Sequence, residues 1–235
     1  MLPVVILAGG LATRLYPQTQ QVPKSLIEIN GLPFIHHQLM LLKEKGVAQV
    51  ILCIGHFGKM IEDYVGDGSR FGLQVRYSYD GDILLGTGGA IKKATGFLPE
   101  AFMIQYGDSY LDTDYEPIVQ RFYKADLPVL MTVFRNRNAF DTSNISMNDG
   151  RILKYDKKDK DSSMEYIDYG LVIIRKTVFD TYTPLEAFDL SLVLSRAVAA
   201  GRVAAYEVQQ RFFEIGSVEG IKETGDYIRN RRIHL

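Results

Sequence analysis

Hydrophobic residues recur along the chain in short runs rich in valine and isoleucine, and stretches with helical spacing separate these runs. In the first half, the runs predict buried strands at residues 3–7, 49–54, 73–78, 101–105 and 128–134. Between them, apolar residues spaced three and four apart predict helices at residues 34–45, 59–65, 90–97 and 115–124. This alternation is typical of βαβ units and predicts a doubly wound, mostly parallel sheet.

The second half has a different pattern. Two short segments, 144–147 and 151–155, flank an Asn-Asp-Gly turn and predict a β-hairpin. The remaining pattern predicts, in order, a strand, a helix, a strand and a closing helix, at residues 166–174, 190–200, 202–208 and 218–232. No repeat or flexible linker divides the sequence. We therefore expect one domain over residues 1–235: a Rossmann-like three-layer α/β sandwich with a mixed, mostly parallel sheet and a small antiparallel annex.

Composition restricts the class of protein. Of the 235 residues, 46% are hydrophobic and 23% are charged, which is typical of an ordinary globular domain. The net charge of −1 argues against a general nucleic-acid binder. The one cysteine, Cys53, excludes a disulfide framework and is expected to be inert core. No apolar run approaches the roughly 18 residues that span a membrane, so we expect a cytoplasmic protein without membrane partners.

The first predicted strand runs into a glycine pair, Gly9 and Gly10. Glycines let a ligand approach the main chain closely, and a short helix beginning near Ala12 would direct its positive end at the same place, which suits phosphate. Arg14 supplies a forked donor for phosphate oxygens, and Lys24 supplies a point charge. The alternative is a tight strand-to-helix turn with two solvated cations.

Residues 7–24 resemble the signature of the sugar-1-phosphate nucleotidylyltransferases, LAGG-x-GTRL-x-P-x-T followed by Pro-Lys. The resemblance implies that the loop binds a nucleoside triphosphate through Leu7, Ala8, Gly9, Gly10, Ala12 and Thr13. It also implies catalytic roles for Arg14 and Lys24. Ala12 stands where the family usually has glycine.

Three later segments extend this resemblance. The sequence Leu-Gly-Thr-Gly-Gly-Ala at 85–90 is similar to the family's base-binding element and implies nucleotide contacts by Asp80, Gly86, Thr87 and Gly88, although the family's upstream proline is absent. The Gly-Asp pair at 107–108 implies that Asp108 binds Mg²⁺ and is catalytic. At 212–217, Glu214 replaces the second metal-binding aspartate, and its carboxylate can still donate oxygens to the ion.

Two further segments concern the acceptor. Residues 155–157 resemble the family segment whose lysine contacts the sugar phosphate, which implies this role for Lys157. Residues 167–171 resemble the strand segment that faces the sugar hydroxyls, which implies sugar-phosphate binding by Asp168 and Gly170. For Lys157 a solvated charged loop is the competing interpretation, because charged residues surround it at 156–161.

The implied reaction transfers a nucleotidyl group from an NTP to a sugar 1-phosphate, giving an NDP-sugar and pyrophosphate. Attack on the α-phosphorus is in line, depends on Mg²⁺ and needs no general base, because the attacking phosphate is already ionised near pH 7. The chain resembles the short family members, such as heptose or mannose 1-phosphate guanylyltransferases and muramate 1-phosphate uridylyltransferases, which implies no C-terminal β-helix. Overall resemblance favours GTP with heptose or mannose 1-phosphate, and a homo-oligomer stays open.

The sequence leaves three alternative functions open. A member of the same family could use UTP. A glycosyltransferase that consumes an NDP-sugar would hold its metal on the Asp-x-Asp formed by Asp112 and Asp114, although these residues also suit the start of a helix. A non-catalytic nucleotide-sugar sensor would explain the departures at Ala12 and Glu214.

Overall fold

The structure is a computed structural model that describes residues 1–11 and 13–233. The side chains of Arg14, Gln18, Arg232 and Ile233 are outside this description. The expected nucleotide contact at Ala12 and the expected role of the Arg14 side chain therefore lie outside the described part of the chain.

The strands are, in chain order, β1 Val4–Leu7, β2 Glu28–Ile29, β3 Leu32–Pro33, β4 Gln49–Ile54, β5 Gln74–Tyr79, β6 Ala101–Tyr106, β7 Ser109–Tyr110, β8 Val129–Arg135, β9 Ile145–Asn148, β10 Arg151–Tyr155, β11 Tyr166–Arg175, β12 Val203–Val208 and β13 Phe213–Glu214. The helices are α1 Phe34–Glu44, α2 Gly58–Val65, α3 Gly86–Ala94, α4 Tyr115–Ala125, α5 Leu190–Ala199 and α6 Val218–Ile233. None of these helices is long and apolar enough to cross a membrane.

The central sheet has the order β10-β9-β11-β6-β1-β4-β5, with β8 paired to β11 and β12 paired to β8. Strands β6, β1, β4 and β5 are parallel neighbours, whereas β11 is antiparallel to β6 and β8. The carboxyl ends of the four parallel strands therefore meet at one edge, where open α/β sheets bind ligands.

Helices cover both faces of the sheet. Along β1, Val4 and Ile6 pack into a core that includes α1, α2 and α4, and Val5 packs into a second core that includes α3 and α5. Side chains of a strand alternate between faces, so a strand buried on both sides must be apolar throughout. The expected three-layer α/β sandwich with a mixed, mostly parallel sheet is confirmed.

The antiparallel annex has two parts. The β9–β10 hairpin extends one end of the central sheet. The other part is separate: β13 pairs with β7, β2 pairs with β3, and α6 packs on both pairs through a small core that includes Ile29, Phe213 and Ile228. This packing brings β13 and α6 back to the carboxyl end of β6.

Most element bounds agree with the sequence prediction within one residue, but α3 begins at Gly86 and not at residue 90. Glycine disfavours helices, so the prediction placed Gly86, Gly88 and Gly89 before the helix. Packing explains their presence inside it. A Cβ on Gly88 would lie 2.4 Å from the Phe188 ring, and one on Gly89 would lie 2.4 Å from the Glu186 carbonyl oxygen.

The expected short helix near Ala12 is also different. The structure has a three-residue 3₁₀ turn, Thr13–Leu15, followed by a second one, Gln18–Gln20. A single 3₁₀ turn has too few aligned peptide groups to form a substantial helix dipole. Any phosphate binding by this loop must therefore rest on its backbone N–H groups and on cationic side chains.

Candidate active site

A cavity of about 350 Å³ opens at the carboxyl ends of the parallel strands. Its lining comes from the ends of β1, β4, β5 and β6, from the start of α3 and from the loop before β2. The lining residues are Leu7, Ala8, Gly9, Gly10, Lys24, Ser25, Cys53, Asp80, Leu84, Gly86, Thr87, Ala90, Tyr106, Gly107, Asp108 and Asp189. Of the predicted nucleotide contacts, Leu7, Ala8, Gly9, Gly10, Asp80, Gly86 and Thr87 are in this set.

Two predicted nucleotide contacts are not in the described lining. Thr13 lies in the 3₁₀ turn beyond the glycine pair. Gly88 packs against Phe188 and donates its N–H to the Phe188 carbonyl oxygen at 2.8 Å. The structure therefore gives Gly88 a packing role, holding the loop before α5 against the start of α3.

The glycines at the strand ends serve different purposes. A Cβ on Gly107 would lie 2.6 Å from the Leu7 carbonyl oxygen, so glycine is needed for the turn after β6 to approach the end of β1. Among the described residues, no atom lies within 4 Å of a Cβ placed on Gly10. Gly10 therefore leaves its main chain open to the cavity, as a phosphate-binding loop requires.

Lys24 and Asp108 form an ion pair in the cavity, with 2.7 Å between Lys24 Nζ and Asp108 Oδ2. Lys24 begins a 3₁₀ turn after extended Pro23, and Asp108 lies in the turn between β6 and β7. Their side chains are 21% and 32% exposed, so both groups remain accessible to a ligand. The pair places at one point the cation that was predicted to bind phosphate and the carboxylate that was predicted to bind a metal.

Two buried glutamines hold the turn that carries Asp108. Gln38 Nε2 donates to the carbonyl oxygens of Tyr106 and Ser109, at 2.9 and 3.0 Å, and Gln105 Nε2 donates to the Ser109 oxygen at 2.9 Å. Both side chains are fully buried. This clamp was not predicted from the sequence, although Gln38 on the apolar face of the first predicted helix was a signal for it.

A second cavity of about 290 Å³ adjoins the first and shares Lys24, Tyr106 and Asp108 with it. Its other lining residues are Ser109, Asp141, Thr142, Asn144, Lys157, Lys160, Ile167, Asp168, Tyr169, Gly170, Phe212, Glu214 and Gly216. All the predicted sugar-phosphate contacts, and Glu214, are in this set. The structure thus brings the two predicted subsites together on either side of Lys24 and Asp108.

Lys157 and Asp168 face each other in the second cavity. Lys157 Nζ lies 3.6 Å from Asp168 Oδ2 and donates to the Tyr106 hydroxyl at 3.3 Å. Burial alone would lower the pKa of Lys157, but Asp168 and Tyr106 outweigh it, and the pKa lies above its ordinary value. Lys157 is therefore a fixed cation, held inward although 39% of its side chain is exposed.

Asp168 is held by the backbone of β11. Its side chain is 2% exposed, accepts from the Tyr155 hydroxyl at 3.1 Å and accepts from the Gly170 N–H at 3.1 Å. Gly170 has a φ of +98° at a register shift between β11 and β8, a conformation that glycine adopts readily. The irregular strand fixes the carboxylate at the cavity wall.

Glu214 approaches Asp108 through the β13–β7 pair, in which Glu214 is opposite Ser109. A Cβ on Gly216 would lie 3.4 Å from Glu214 Oε1 and 3.8 Å from Lys24 Nζ, so the Glu214 carboxylate lies near the ion pair. Among residues 1–11 and 13–233, no group of three potential ligands could form a complete protein metal site. Two carboxylates still fit Mg²⁺, which usually keeps several waters and binds substrate phosphates as well.

Asp80 lies at the carboxyl end of β5, at the opposite end of the first cavity from Asp108. It is 8% exposed and accepts from the Leu85 N–H at 3.2 Å. Burial raises the pKa of this carboxyl above its ordinary value. The side chain presents a buried acceptor group to whatever ligand enters this end of the cavity.

The Asp-x-Asp segment lies in neither of these linings. Asp112 is paired with Lys45 at 2.7 Å, accepts from the Tyr227 hydroxyl at 2.9 Å and also bonds Arg231. Asp114 is the N-cap of α4 and accepts from the Glu116 N–H at 3.2 Å. These contacts explain both carboxylates as structural groups and remove the specific support for a glycosyltransferase metal site.

A family model described as nucleotidyl transferase matches residues 3–230, and the chain therefore belongs to the nucleotidyl transferase family. The D-glycero-alpha-D-manno-heptose 1-phosphate guanylyltransferase of Aneurinibacillus thermoaerophilus is 32% identical over 188 residues, which cover 79% of this chain and 80% of that protein. The UTP–glucose-1-phosphate uridylyltransferase of Synechocystis sp. is 28% identical over 232 residues, which cover 91% of this chain but 60% of that longer protein.

Solved structures agree with this assignment. HddC from Yersinia pseudotuberculosis, complexed with GMP-PN, has a TM-score of 0.82 and 25% identity, with 97% of this chain and 100% of that chain covered. A UDP-glucose pyrophosphorylase complexed with UDP-glucose has a TM-score of 0.79 at 17% identity, covering 98% of this chain and 99% of that chain, which supports the fold alone. The resemblance to sugar-1-phosphate nucleotidylyltransferases is confirmed.

Proposed function

We propose that this protein transfers a nucleotidyl group from an NTP to a sugar 1-phosphate, and that the preferred pair is GTP with heptose or mannose 1-phosphate. The observation that carries the proposal is the Lys24–Asp108 pair at the junction of two cavities. The first cavity is the proposed nucleotide site, and the second is the proposed acceptor site. The α-phosphate of the NTP then lies where the two substrates meet.

The division of charge fits two polyanionic substrates. Lys24 neutralises the triphosphate, with Arg14 as its proposed partner from the sequence motif, and Lys157 neutralises the acceptor phosphate. Asp168 and Gly170 face the sugar. With its phosphate already ionised, the acceptor attacks the α-phosphorus in line and pyrophosphate leaves, so the protein contributes position and electrostatic stabilisation and accepts no proton.

Asp108 and Glu214 are the residues that would hold magnesium. When bound, the ion would neutralise charge on the phosphate oxygens in the transition state. The protein's own contribution is to keep the two carboxylates at the junction, Asp108 through the glutamine clamp and Glu214 through the β13–β7 pair.

Asp80 supports GTP as the nucleotide. Guanine has two adjacent donors, N1–H and the N2 amino group, and a carboxylate can accept from both. Uracil has one N–H flanked by carbonyl oxygens, which a buried carboxylate would repel. The guanylyltransferase relative favours the same base, whereas the uridylyltransferase relative keeps a UTP-dependent member as the second candidate.

The test is pyrophosphate release with Mg²⁺, measured for four NTPs crossed with a panel of sugar 1-phosphates. We expect one strongly preferred pair, with GTP and a manno-configured sugar 1-phosphate. Turnover with UTP alone would overturn the base assignment but keep the reaction. Bound NTP with no pyrophosphate release for any pair would favour the non-catalytic sensor.

The choice between transferase classes is tested by Asp108→Ala and Asp112→Ala made in parallel. We expect only Asp108→Ala to abolish turnover. Asp112 holds Lys45 and Arg231, so thermal unfolding of its variant must be checked, and Asp114→Ala gives a second, milder test of the same segment. Loss of activity in a folded Asp112→Ala or Asp114→Ala variant, with Asp108→Ala still active, would favour a glycosyltransferase.

A further inference from the structure

Asp189 is a carboxylate in the proposed nucleotide cavity and was not predicted from the sequence. It is the N-cap residue of α5, with extended backbone angles of φ −90° and ψ 145°. An N-cap aspartate usually accepts from its own helix, as Asp114 does on α4. Asp189 makes no such bond, so its side chain is not used to cap α5.

Thr87 caps α5 in its place. The Leu190 N–H donates to Thr87 Oγ1 at 2.7 Å, and the Thr87 hydroxyl donates to Asp189 Oδ1 at 3.5 Å. A residue of α3 therefore satisfies the first N–H of α5. The Asp189 side chain is therefore not needed to cap α5. Its exposed carboxylate lies at the wall of the cavity.

The position of Asp189 along the cavity limits what it can touch. Asp80 at the end of β5 and Asp108 after β6 mark the two ends, separated by three strand spacings, or about 14 Å. Helix α3 packs on β5, β4 and β1, and α5 packs beside α3 on the same face of the sheet. Thr87 is two residues after Leu85, whose N–H donates to Asp80, so the contact between Thr87 and Asp189 lies beside the base end of the cavity.

A bound nucleotide offers neutral hydroxyl donors in its middle. A carboxylate would repel the phosphates, and Asp80 already lies at the base end, so the ribose is the part that suits Asp189. Dinucleotide-binding folds use a carboxylate on ribose hydroxyls in the same way. Resting on the proposed function, we infer that Asp189 accepts hydrogen bonds from the ribose and selects ribonucleotides over deoxyribonucleotides.

Calorimetric binding of GTP and of its 2′-deoxy and 3′-deoxy forms, with UTP and its deoxy forms in parallel, tests this inference in wild type and Asp189→Ala. We expect wild type to bind the ribonucleotide about tenfold or more tightly than at least one deoxy form, the size of a hydrogen bond to a charged group. Asp189→Ala should weaken the binding of the ribonucleotide and change the affinity for that deoxy form by no more than about twofold relative to wild type. The deoxy form lacks the hydroxyl that would donate to Asp189, so removal of the carboxylate costs it no hydrogen bond. The pyrophosphate-release assay should give the same pattern.

Asp114→Ala is the matched control, since it removes an N-cap carboxylate on a helix away from the cavity. It should lower thermal stability and leave the ratio between ribonucleotide and deoxyribonucleotide unchanged. The inference is overturned by equal binding of all forms to wild type, or by equal weakening of all forms in Asp189→Ala. Turnover would then still support the proposed function. Failure of wild type to bind any nucleotide overturns both.

Discussion

At the scale of single residues, the candidate site depends on charges that are paired before any substrate binds. Lys24 and Asp108 neutralise each other, as do Lys157 and Asp168, and each pair keeps at least one partly exposed member. Such pairing lowers the free-energy cost of burying charges in a cleft, and the lysine ammonium groups can still donate hydrogen bonds to phosphate. The charges are thus in position before the substrates arrive, which favours catalysis by electrostatic stabilisation.

Lys24→Ala tests the cation at the junction. We expect kcat/KM to fall about 30-fold or more, equivalent to about 2 kcal/mol of transition-state stabilisation, because one charged donor is lost. Steady-state pyrophosphate release measures the effect, and thermal unfolding checks that the variant is folded.

Lys43→Ala is the control for Lys24→Ala. Lys43 donates to the Gly72 carbonyl oxygen on the surface and is absent from the described lining of both cavities. Its kcat/KM should stay within about twofold of wild type, as for most surface substitutions. A near-wild-type kcat/KM in Lys24→Ala would remove Lys24 from the proposed mechanism.

At the scale of elements, α6 acts as the support for Glu214. The Tyr227 ring stacks on Phe213 with 4.1 Å between ring centres, and Thr224 donates to the Glu214 carbonyl oxygen at 3.4 Å. Gly220 packs directly against the Glu214 carbonyl oxygen, because a Cβ at this position would lie 2.3 Å from that oxygen. The helix therefore holds the strand that carries the proposed metal ligand.

Two glycines of α6 give a matched pair of variants. Gly220→Ala should displace Glu214, lower kcat about tenfold or more and raise the Mg²⁺ concentration needed for half-maximal activity, because small misplacements at a reacting centre are costly. Gly225→Ala meets neighbours at ordinary distances of 3.6 Å or more, and should raise stability by about 0.5–1 kcal/mol with little change in activity. Equal activity of the two variants would show that α6 does not position Glu214.

The elements also show what a single sequence can and cannot predict. The run in β1 and the run that follows Gln49 in β4 are apolar because both faces are buried, so these strands were predicted within a residue. The start of α3 was missed because its glycines are explained by Phe188, about 100 residues away in the chain. The motif residues at the strand ends were found, whereas Gln38 and Asp189 act through contacts made only in the fold.

At the scale of the whole molecule, the sheet excludes water from its centre. Cys53 lies on β4, between β1 and β5, and is 1% exposed. Burial, with a smaller effect of the Asp80 charge, raises the pKa of this thiol well above its ordinary value of 9.0. The expectation of an inert core cysteine agrees with this environment, since only the thiolate is reactive.

This burial predicts a specific loss of stability in alkali. The folded protein keeps the thiol protonated, while the unfolded chain releases the proton above pH 9, so the unfolded state binds fewer protons and the free energy of unfolding falls as pH rises. Between pH 8 and 10, wild type should lose about 1.4 kcal/mol more than Cys53→Ala. Urea unfolding at both pH values measures this difference, in which the tyrosines and lysines common to the two proteins cancel. Equal losses, or labelling of native Cys53 by a thiol reagent at the rate of an exposed thiol, would mean that the sheet opens locally at β4 and that the floor of the nucleotide cavity is not rigid.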